Sequence, residues 1–275
     1  MPPSGRLRAS QERAEIRYDY LDFRIEGPIA TVVLDRPESG NRIDRAMAAS
    51  LREMCRDVEA DDSVRVLIVT GAGSTFSVGR EEPSPDRLAE RGAGFQDWLC
   101  QLQVASSLAG LPIPVIAAVN GEALDHGLEL ALAADLRIAA VDARFGSTDL
   151  GRGTFPWDGG TQRLPRSVGP AWARDMIFTG RIIEAPLAQE IGLINRVAPG
   201  NELLDRAMEL AESIVAGAPV AARYAKEAVR LSMDLTLSQG LALEADLNIL
   251  LHTTADREEG IKSFLERRKP EFRGE

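Results

Sequence analysis

The chain of 275 residues has only two cysteines and two histidines. Cys55 and Cys100 lack metal-ligand spacing, and so few cysteines argue against a disulfide scaffold. Because His126 and His252 are the only histidines, a multi-histidine metal site is not expected either. The sequence therefore predicts neither a bound metal nor a disulfide framework.

Long apolar runs are also missing. No run approaches the roughly 20 residues that a membrane-spanning helix needs, and the N-terminus lacks an apolar signal-peptide core. The formal charge of −10 argues against nucleic acid as the main partner. We therefore expect a cytoplasmic protein with a flexible tail at residues 1–14 and with neither a membrane nor a nucleic-acid partner.

Two patterns divide the rest of the chain. Strands are predicted at Ile29–Leu34, Val64–Val69, Val115–Val119 and Leu136–Ala140, and helices at Arg45–Ala60 and Ala123–Ala134. This alternation is typical of an α/β unit with crossover helices. From about residue 202 the pattern is helical throughout, with helices predicted at Leu203–Ala216, Val220–Ser232, Leu237–Leu251 and Asp256–Arg267. We predict an α/β core over residues 15–200 and a helical region over 201–275.

A glycine-rich turn, Gly71-Ala72-Gly73, follows one predicted strand. It is not a dinucleotide-binding fingerprint, because Phe76 occupies the position of the third glycine. The phosphate-binding Walker pattern is missing as well. Nicotinamide and nucleotide-triphosphate chemistry therefore have no support in the sequence.

The strand–turn–helix segment over residues 114–135 is the most informative part of the chain. Its helix is apolar almost all round, which indicates a buried helix whose first N–H groups attract an anion or a developing oxyanion. One carboxylate, Glu129, lies in this helix, three residues after His126. A buried carboxylate without a partner is costly. The pattern therefore places a proton-transfer group beside a cluster of N–H donors.

Motifs from Tyr18 to Phe272 resemble those of the enoyl-CoA hydratase/isomerase (crotonase) superfamily. The resemblance lies in the order and spacing of several short motifs: Leu34-Asp35-Arg36-Pro37, Thr75-Phe76-Ser77-Val78-Gly79, Ile116–Gly121 with Gly127–Ala131, Gly153-Thr154-Phe155-Pro156 and Gly159–Leu164. It implies a spiral of ββα units and a helical C-terminal region that builds a homotrimer or a dimer of trimers (a homohexamer). It also implies an acyl-CoA thioester substrate, with coenzyme A carried by the substrate and no further cofactor.

The same resemblance assigns roles to individual residues. The backbone N–H groups of Arg80 and His126 would hold the thioester oxygen as an oxyanion, and losing one such donor costs about 100- to 1000-fold in rate. Glu129 and Asp149 would share the handling of water and proton, although hydratases carry glutamate at position 149. Five further residues are predicted to bind substrate: Arg36, Val78, Trp157, Phe264 and Arg267.

Three positions depart from the family pattern. Asp125 and His126 replace glycines, so their side chains either face outward or bring an imidazole to the substrate. Trp157 replaces a small residue and either stacks on the acyl group, excludes water or packs on the core. Asp158 is a further candidate acid–base or nucleophilic carboxylate, ranked below Asp149.

The resemblance implies a lyase, an enoyl-CoA hydratase of fatty acid metabolism that adds water across a 2,3-double bond. The alternative within the family is an isomerase, decarboxylase or C–C hydrolase acting on a branched, cyclic or aromatic acyl-CoA. A non-catalytic acyl-CoA-binding protein is the alternative outside enzymes. Glu129 argues against that last alternative, because a protein without catalysis has little need for a carboxylate in an apolar helix.

Overall fold

The structure is a computed structural model that describes residues 18–82 and 93–275. The predicted flexible tail at residues 1–14 lies outside this range. Within it, ten strands are present in chain order: β1 (Leu21–Glu26), β2 (Ile29–Leu34), β3 (Val66–Gly71), β4 (Thr75–Ser77), β5 (Val115–Val119), β6 (Glu122–Leu124), β7 (Leu136–Ala140), β8 (Arg144–Gly146), β9 (Ile183–Glu184) and β10 (Arg196–Ala198). They form two sheets, one of six strands in the order β1-β2-β3-β5-β7-β10 and one of four in the order β4-β6-β8-β9.

Ten α-helices connect and cover these strands in the described part of the chain. They are α1 (Arg45–Ala60), α2 (Ala93–Leu102), α3 (Ala105–Gly110), α4 (His126–Ala133), α5 (Gly160–Thr179), α6 (Ala185–Glu190), α7 (Leu203–Val215), α8 (Pro219–Leu231), α9 (Leu237–Leu251) and α10 (Ala255–Glu266). The side chain of Asp44 caps α1 by accepting a hydrogen bond from the Met47 amide at 2.8 Å. This cap explains why α1 begins at Arg45, as predicted.

A ββα unit repeats three times. In each of the pairs β3–β4, β5–β6 and β7–β8, the first strand joins the six-stranded sheet and the second joins the four-stranded sheet. Equivalent strands of successive units pair in parallel. Helices α2, α4 and α5 follow the three pairs in turn. The predicted α/β spiral of ββα units is therefore confirmed.

Two predicted boundaries in this core are wrong. The helix expected at Ala123–Ala134 begins only at His126, because residues 122–124 pair as β6 between β4 and β8. The strand expected at Val64–Val69 runs from Val66 to Gly71, in parallel register with β2. Both errors come from pairing with distant strands, which a local hydrophobic pattern does not contain.

The C-terminal region is helical, as predicted, but its helices differ in burial. α7 packs on the six-stranded sheet and buries Leu203, Ala207 and Leu210 in the core. Over α9 and α10, in contrast, large apolar side chains are exposed, among them Leu237 and Phe264. In the part of the chain described by the structure, no helix has the length and apolarity needed to cross a membrane.

Candidate active site

Helix α4 lies entirely in the interior of the protein. Strand β5, which precedes β6 and α4, is fully buried and ends at Val119; the side chain of the next residue, Asn120, accepts a hydrogen bond from the Gly71 amide at 3.1 Å. Every residue of α4 is buried, including His126 and Glu129. Because the first N–H groups of a helix have no intrahelical partner, this buried N-terminus favours a developing negative charge.

Arg137 of β7 holds the other end of α4. Its buried guanidinium donates to the carbonyl oxygens of Ala134 and Leu193, both at 2.7 Å. The last carbonyls of a helix lack intrahelical partners, and the bond from Arg137 to Ala134 satisfies one of them. The C-terminal end of α4 is therefore fixed to the segment that precedes β10.

Two backbone amides remain unpaired beside the start of α4. In the described residues, the N–H groups of Arg80 and His126 have no hydrogen-bond partner. The isolated bridge between Ile43 and Arg80 uses the carbonyl of Gly79 and the amide of Glu81 instead. Two free backbone donors at a buried turn can stabilise an oxyanion, which is the role that the sequence predicts for them.

Close packing of two turns brings these amides into neighbouring positions. Gly79 has a φ of 115°, and a methyl group added there would lie 3.3 Å from Cβ of Asp125. A methyl group at Gly127 would lie 2.0 Å from the carbonyl oxygen of Ser77, so only glycine fits. The turn after β4 therefore lies directly against the start of α4.

Glu129 points from α4 to the N-terminus of α5. Its Oε1 accepts hydrogen bonds from the amides of Asp158 at 2.8 Å and Gly160 at 2.7 Å. Its Oε2 is buried and has no partner among the described residues. Burial raises the pKa of Glu129, although nearby His126 and the two amides oppose that rise. One oxygen thus fixes the side chain, and the other is available for proton transfer.

Asp149 lies at the start of a 3-10 turn formed by residues 149–152, with only 2% of its surface exposed. Its Oδ1 is 3.3 Å from Nη2 of Arg152. Burial and the charge of Asp125 raise the pKa of Asp149, and the cations Arg80 and Arg152 only partly oppose this. The sequence reasoning missed Arg152, although its position three residues after Asp149 was a signal for an ion pair on one turn.

Asp125 adopts a backbone conformation that favours glycine, with φ 51° and ψ −118°. Its carboxylate accepts a hydrogen bond from the amide of Thr148 and a second from Nη2 of Arg152 at 2.7 Å. These contacts hold the side chain while the backbone stays strained, a combination common at functional sites. The Asp125 side chain is 6% exposed, so the alternative in which it faces outward is wrong.

His126 is also buried, and the same alternative fails for it. Its Nε2 is 2.9 Å from Oδ2 of Asp158, and its Nδ1 has no partner among the described residues. The hydrogen bond to His126 and the bonds from the amides of Val104 and Ala105 outweigh burial and lower the pKa of Asp158. The structure therefore places an imidazole and an ionised carboxylate in contact in the interior.

Trp157 lies between two of the predicted site residues. Its ring centroid is 6.1 Å from that of His126, and the guanidinium carbon of Arg80 lies 5.5 Å from the Trp157 ring. Nη2 of Arg80 also donates to the Thr154 hydroxyl at 3.2 Å. Trp157 therefore packs beside the imidazole, and its buried indole N–H lacks a partner in the described chain.

The other predicted substrate-binding residues lie further out. Arg36 is half-buried, with its guanidinium 2.5 Å from Asp44 and stacked on Tyr20. The backbone amide of Val78 donates to the carbonyl oxygen of Gly40 at 3.0 Å. Phe264 is 82% exposed near the end of α10, and Arg267 follows it on the surface. The structure thus brings together Arg80, His126, Glu129, Asp149 and Trp157, but not Phe264 and Arg267.

Comparisons with known proteins show which family the chain resembles over most of its length. The enoyl-CoA hydratase/isomerase family matches residues 24–275. The mitochondrial enoyl-CoA hydratase domain-containing protein 2 of Mus musculus is 38% identical over 272 residues, covering 97% of this chain and 91% of the relative. The crotonyl-CoA hydratase of Syntrophomonas wolfei is 36% identical over 256 residues, covering 93% and 98%. A crystal structure of enoyl-CoA hydratase from Bacillus anthracis has a TM-score of 0.89 at 35% identity, covering 94% of this chain and 100% of its own.

The fold and the site define the class first: a spiral of ββα units in which two backbone amides without a partner among the described residues lie near buried carboxyl and imidazole side chains. The match over residues 24–275 then identifies the group, and the chain belongs to the enoyl-CoA hydratase/isomerase family. The resemblance to the crotonase superfamily predicted from the sequence motifs is confirmed.

Proposed function

We propose that this protein is an enoyl-CoA hydratase that adds water across the 2,3-double bond of an enoyl-CoA thioester. The observation that carries this proposal is the position of Glu129. One of its oxygens is fixed by two amides and the other is buried without a partner among the described residues, in the helix that begins with the free N–H of His126. A proton-transfer group thus lies on the same element as a donor for a developing oxyanion.

The proposed mechanism uses both parts of the site. The thioester oxygen accepts the N–H groups of Arg80 and His126, which lowers the energy of the enolate-like transition state. Glu129 and Asp149 handle the water and the proton that add to the β- and α-carbons. Burial raises the pKa of both carboxyl groups, and this favours proton exchange at a pH closer to neutral.

The substrate supplies the coenzyme A, and the proposed reaction needs no other cofactor. Arg36, Val78 and the turn at Arg80 are proposed to bind the coenzyme A part, since cationic side chains suit its phosphates. Trp157 is proposed to bound the acyl pocket, because it packs against His126 and Arg80. Phe264 and Arg267 would reach a ligand only in a neighbouring subunit, because both lie on the surface of the chain.

The direct test is to incubate the purified protein with crotonyl-CoA and with a panel of longer, branched and cyclic enoyl-CoA thioesters, and to measure hydration of each thioester. We expect loss of absorbance at the conjugated-thioester band and a product heavier by one water. A matched Glu129→Gln protein, which keeps the size and the amide contacts of the side chain, should lose this activity. If no thioester of the panel is hydrated by the folded protein, the proposal is wrong.

A second candidate function is isomerisation, decarboxylation or C–C hydrolysis of a branched, cyclic or aromatic acyl-CoA. The contact of His126 with Asp158 favours it, since an additional buried proton-transfer group can redirect protons on the same enolate. Mass analysis of the product separates the two, because hydration adds one water and isomerisation conserves the mass. A non-catalytic acyl-CoA-binding role is supported only if Glu129→Gln changes no assayed property.

We also propose that the protein assembles as a homotrimer or a dimer of trimers through its C-terminal helices. Their exposed apolar residues support this, in particular Leu237 at 80%, Phe264 at 82% and Leu265 at 74% exposure. An exposed apolar surface of this kind is typical of a subunit interface. Sedimentation of the full chain tests the assembly. The cytoplasmic location stays a prediction, to be tested by cell fractionation.

A further inference from the structure

The contact between His126 and Asp158 joins a residue that departs from the family pattern, His126, to a candidate carboxylate. Both side chains are buried, with 0% and 1% of their surfaces exposed, and Nε2 of His126 is 2.9 Å from Oδ2 of Asp158. The same Oδ2 accepts the amides of Val104 at 2.7 Å and Ala105 at 2.8 Å, at the start of α3. Asp158 is therefore held in place independently of the histidine.

The chemistry of this contact fixes the tautomer of the imidazole. An ionised carboxylate has only acceptor atoms, so Nε2 of His126 must carry the proton of the hydrogen bond. In the neutral ring, Nδ1 then carries a lone pair. This Nδ1 is buried and has no partner among the described residues. A fixed imidazole with a free proton-accepting atom is the arrangement in which histidine acts as a general base.

Several charged groups surround the ring. Glu129 lies on the same helix, Asp149 lies in the adjacent 3-10 turn, and both interact electrostatically with His126. The guanidinium of Arg80 lies 5.5 Å from the Trp157 ring, and Arg52 of α1 interacts with Asp158. Burial favours the protonated form of Glu129, while Asp158 stays ionised and can stabilise an imidazolium. Glu129 is therefore suited to act as the acid, and Asp158 is suited to support His126 as the base.

We infer that the imidazole of His126, positioned by Asp158, is a third proton-transfer group of the site and accepts the proton of the attacking water. This inference rests on the proposed hydration. The oxygen of the water bonds to the β-carbon as one O–H bond of the water breaks and its proton moves to Nδ1 of His126. Protonated Glu129 gives its proton to the α-carbon, and the imidazolium then returns one proton to the Glu129 carboxylate. Asp149 orients the water.

The first test removes the imidazole but keeps the backbone. His126→Gly retains the peptide N–H proposed for the oxyanion, and Asp158 keeps its bonds to two amides, so the variant separates the side chain from the backbone donor. We expect kcat to fall about 100- to 10,000-fold, the usual contribution of a general base, with a smaller change in KM. Added imidazole should restore part of the rate in this variant only. The exposed His252 provides the matched control, His252→Gln, which should hydrate as fast as wild type.

The second test removes the charge of Asp158. In Asp158→Asn, an amide oxygen at the position of Oδ2 can still accept from Val104, Ala105 and Nε2 of His126, but the negative charge that stabilises an imidazolium is lost. We expect a fall in kcat of about 100-fold or more, with KM and the melting temperature changed little. A residue with only a structural role would lower the melting temperature and leave kcat of the folded protein unchanged.

Nitrogen-15 NMR of the full chain reads the tautomer without any activity measurement. Two histidines give two sets of ring signals, and His252→Gln assigns them. We expect Nε2 of His126 to be protonated and Nδ1 to be unprotonated. Three results would overturn the inference. The first is a proton on Nδ1, and the second is a His126→Gly protein that keeps more than about a tenth of wild-type kcat. The third is a His126→Gly protein whose rate does not change when imidazole is added.

These measurements separate this inference from the proposed function. If the wild-type protein hydrates enoyl-CoA and His126→Gly is equally active, only the role of the imidazole is refuted. If the wild-type protein hydrates none of the thioesters, the proposed function is refuted, and with it the step assigned to His126. The tautomer measurement stands in both cases, because it needs no substrate.

Discussion

The core around α4 and the surface of α9 and α10 depart from ordinary burial in opposite ways. In the core, polar groups such as Glu129 and Asp158 are almost completely buried. On the C-terminal helices, apolar groups such as Leu237 and Phe264 are largely exposed. Each departure costs free energy in an isolated chain, so each supports a proposed function: chemistry inside, and contact with another subunit outside.

The largest expected effect concerns the buried polar groups around α4. Glu129→Gln should lower kcat about 100- to 10,000-fold, because it removes the proposed acid–base group. The melting temperature should stay the same or rise, since the amide oxygen can still accept from Asp158 and Gly160. Steady-state kinetics and thermal unfolding check both parts. A large loss of stability together with normal activity in the folded fraction would make Glu129 a structural residue.

Two phenylalanines allow a direct comparison of the buried core with the exposed C-terminal helices. Phe145 on β8 is fully buried, and Phe145→Ala should reduce the free energy of unfolding by about 3–5 kcal/mol. Phe264 is 82% exposed, and Phe264→Ala should change the unfolding of dilute protein by about 0.5 kcal/mol or less. Denaturant titration measures both. Phe264→Ala should instead weaken self-association in sedimentation, and unchanged association would place the subunit interface elsewhere.

The strained turn before α4 gives a smaller effect. Asp125→Ala loses the contacts to Thr148 and Arg152 and keeps a conformation that a Cβ atom disfavours, while Asp125→Gly loses the contacts but relieves the strain. We therefore expect the alanine variant to be less stable than the glycine variant by about 1–2 kcal/mol. Equal free energies of unfolding would show that the backbone at this position is not strained.

The smallest expected effect is on the pH dependence of stability. Because burial raises the pKa of Glu129 in the folded state, the folded state binds its proton more tightly than the unfolded chain does. This contribution to stability is complete below the ordinary pKa of 4.5 and is lost as the pH rises through the folded-state pKa. The stability of Glu129→Gln relative to wild type should therefore increase with pH, as measured by denaturant titration. A constant difference would contradict the raised pKa.

Local patterns in the sequence predicted much of this fold. The bounds of α1, β5, β7 and α9 agree with the prediction, because each has a long periodic or apolar run. Strand β6 was missed, since its three residues form a strand only by pairing with β4 and β8. The six- and four-stranded sheets were likewise beyond a local pattern, as their order depends on pairing between units.

The candidate site was predicted in part for the same reason. Glu129 is recognisable as a carboxylate in an apolar helix, and the structure buries it as expected. The contact of His126 with Asp158 joins residues 32 positions apart, and nothing local in the sequence indicates it. Arg152 is a similar case, because its role depends on the Asp125 carboxylate, which is 27 residues earlier in the chain.

The attachment of α4 by Arg137 has a consequence for synthesis of the protein. The guanidinium connects the carbonyl of Ala134 to that of Leu193, which is made 59 residues later than Ala134. A nascent chain that has emerged only through α5 therefore contains Glu129 and both proposed oxyanion donors but lacks this anchor. The order in which the ribosome releases the chain thus makes completion of the site a late event, coupled to arrival of β10.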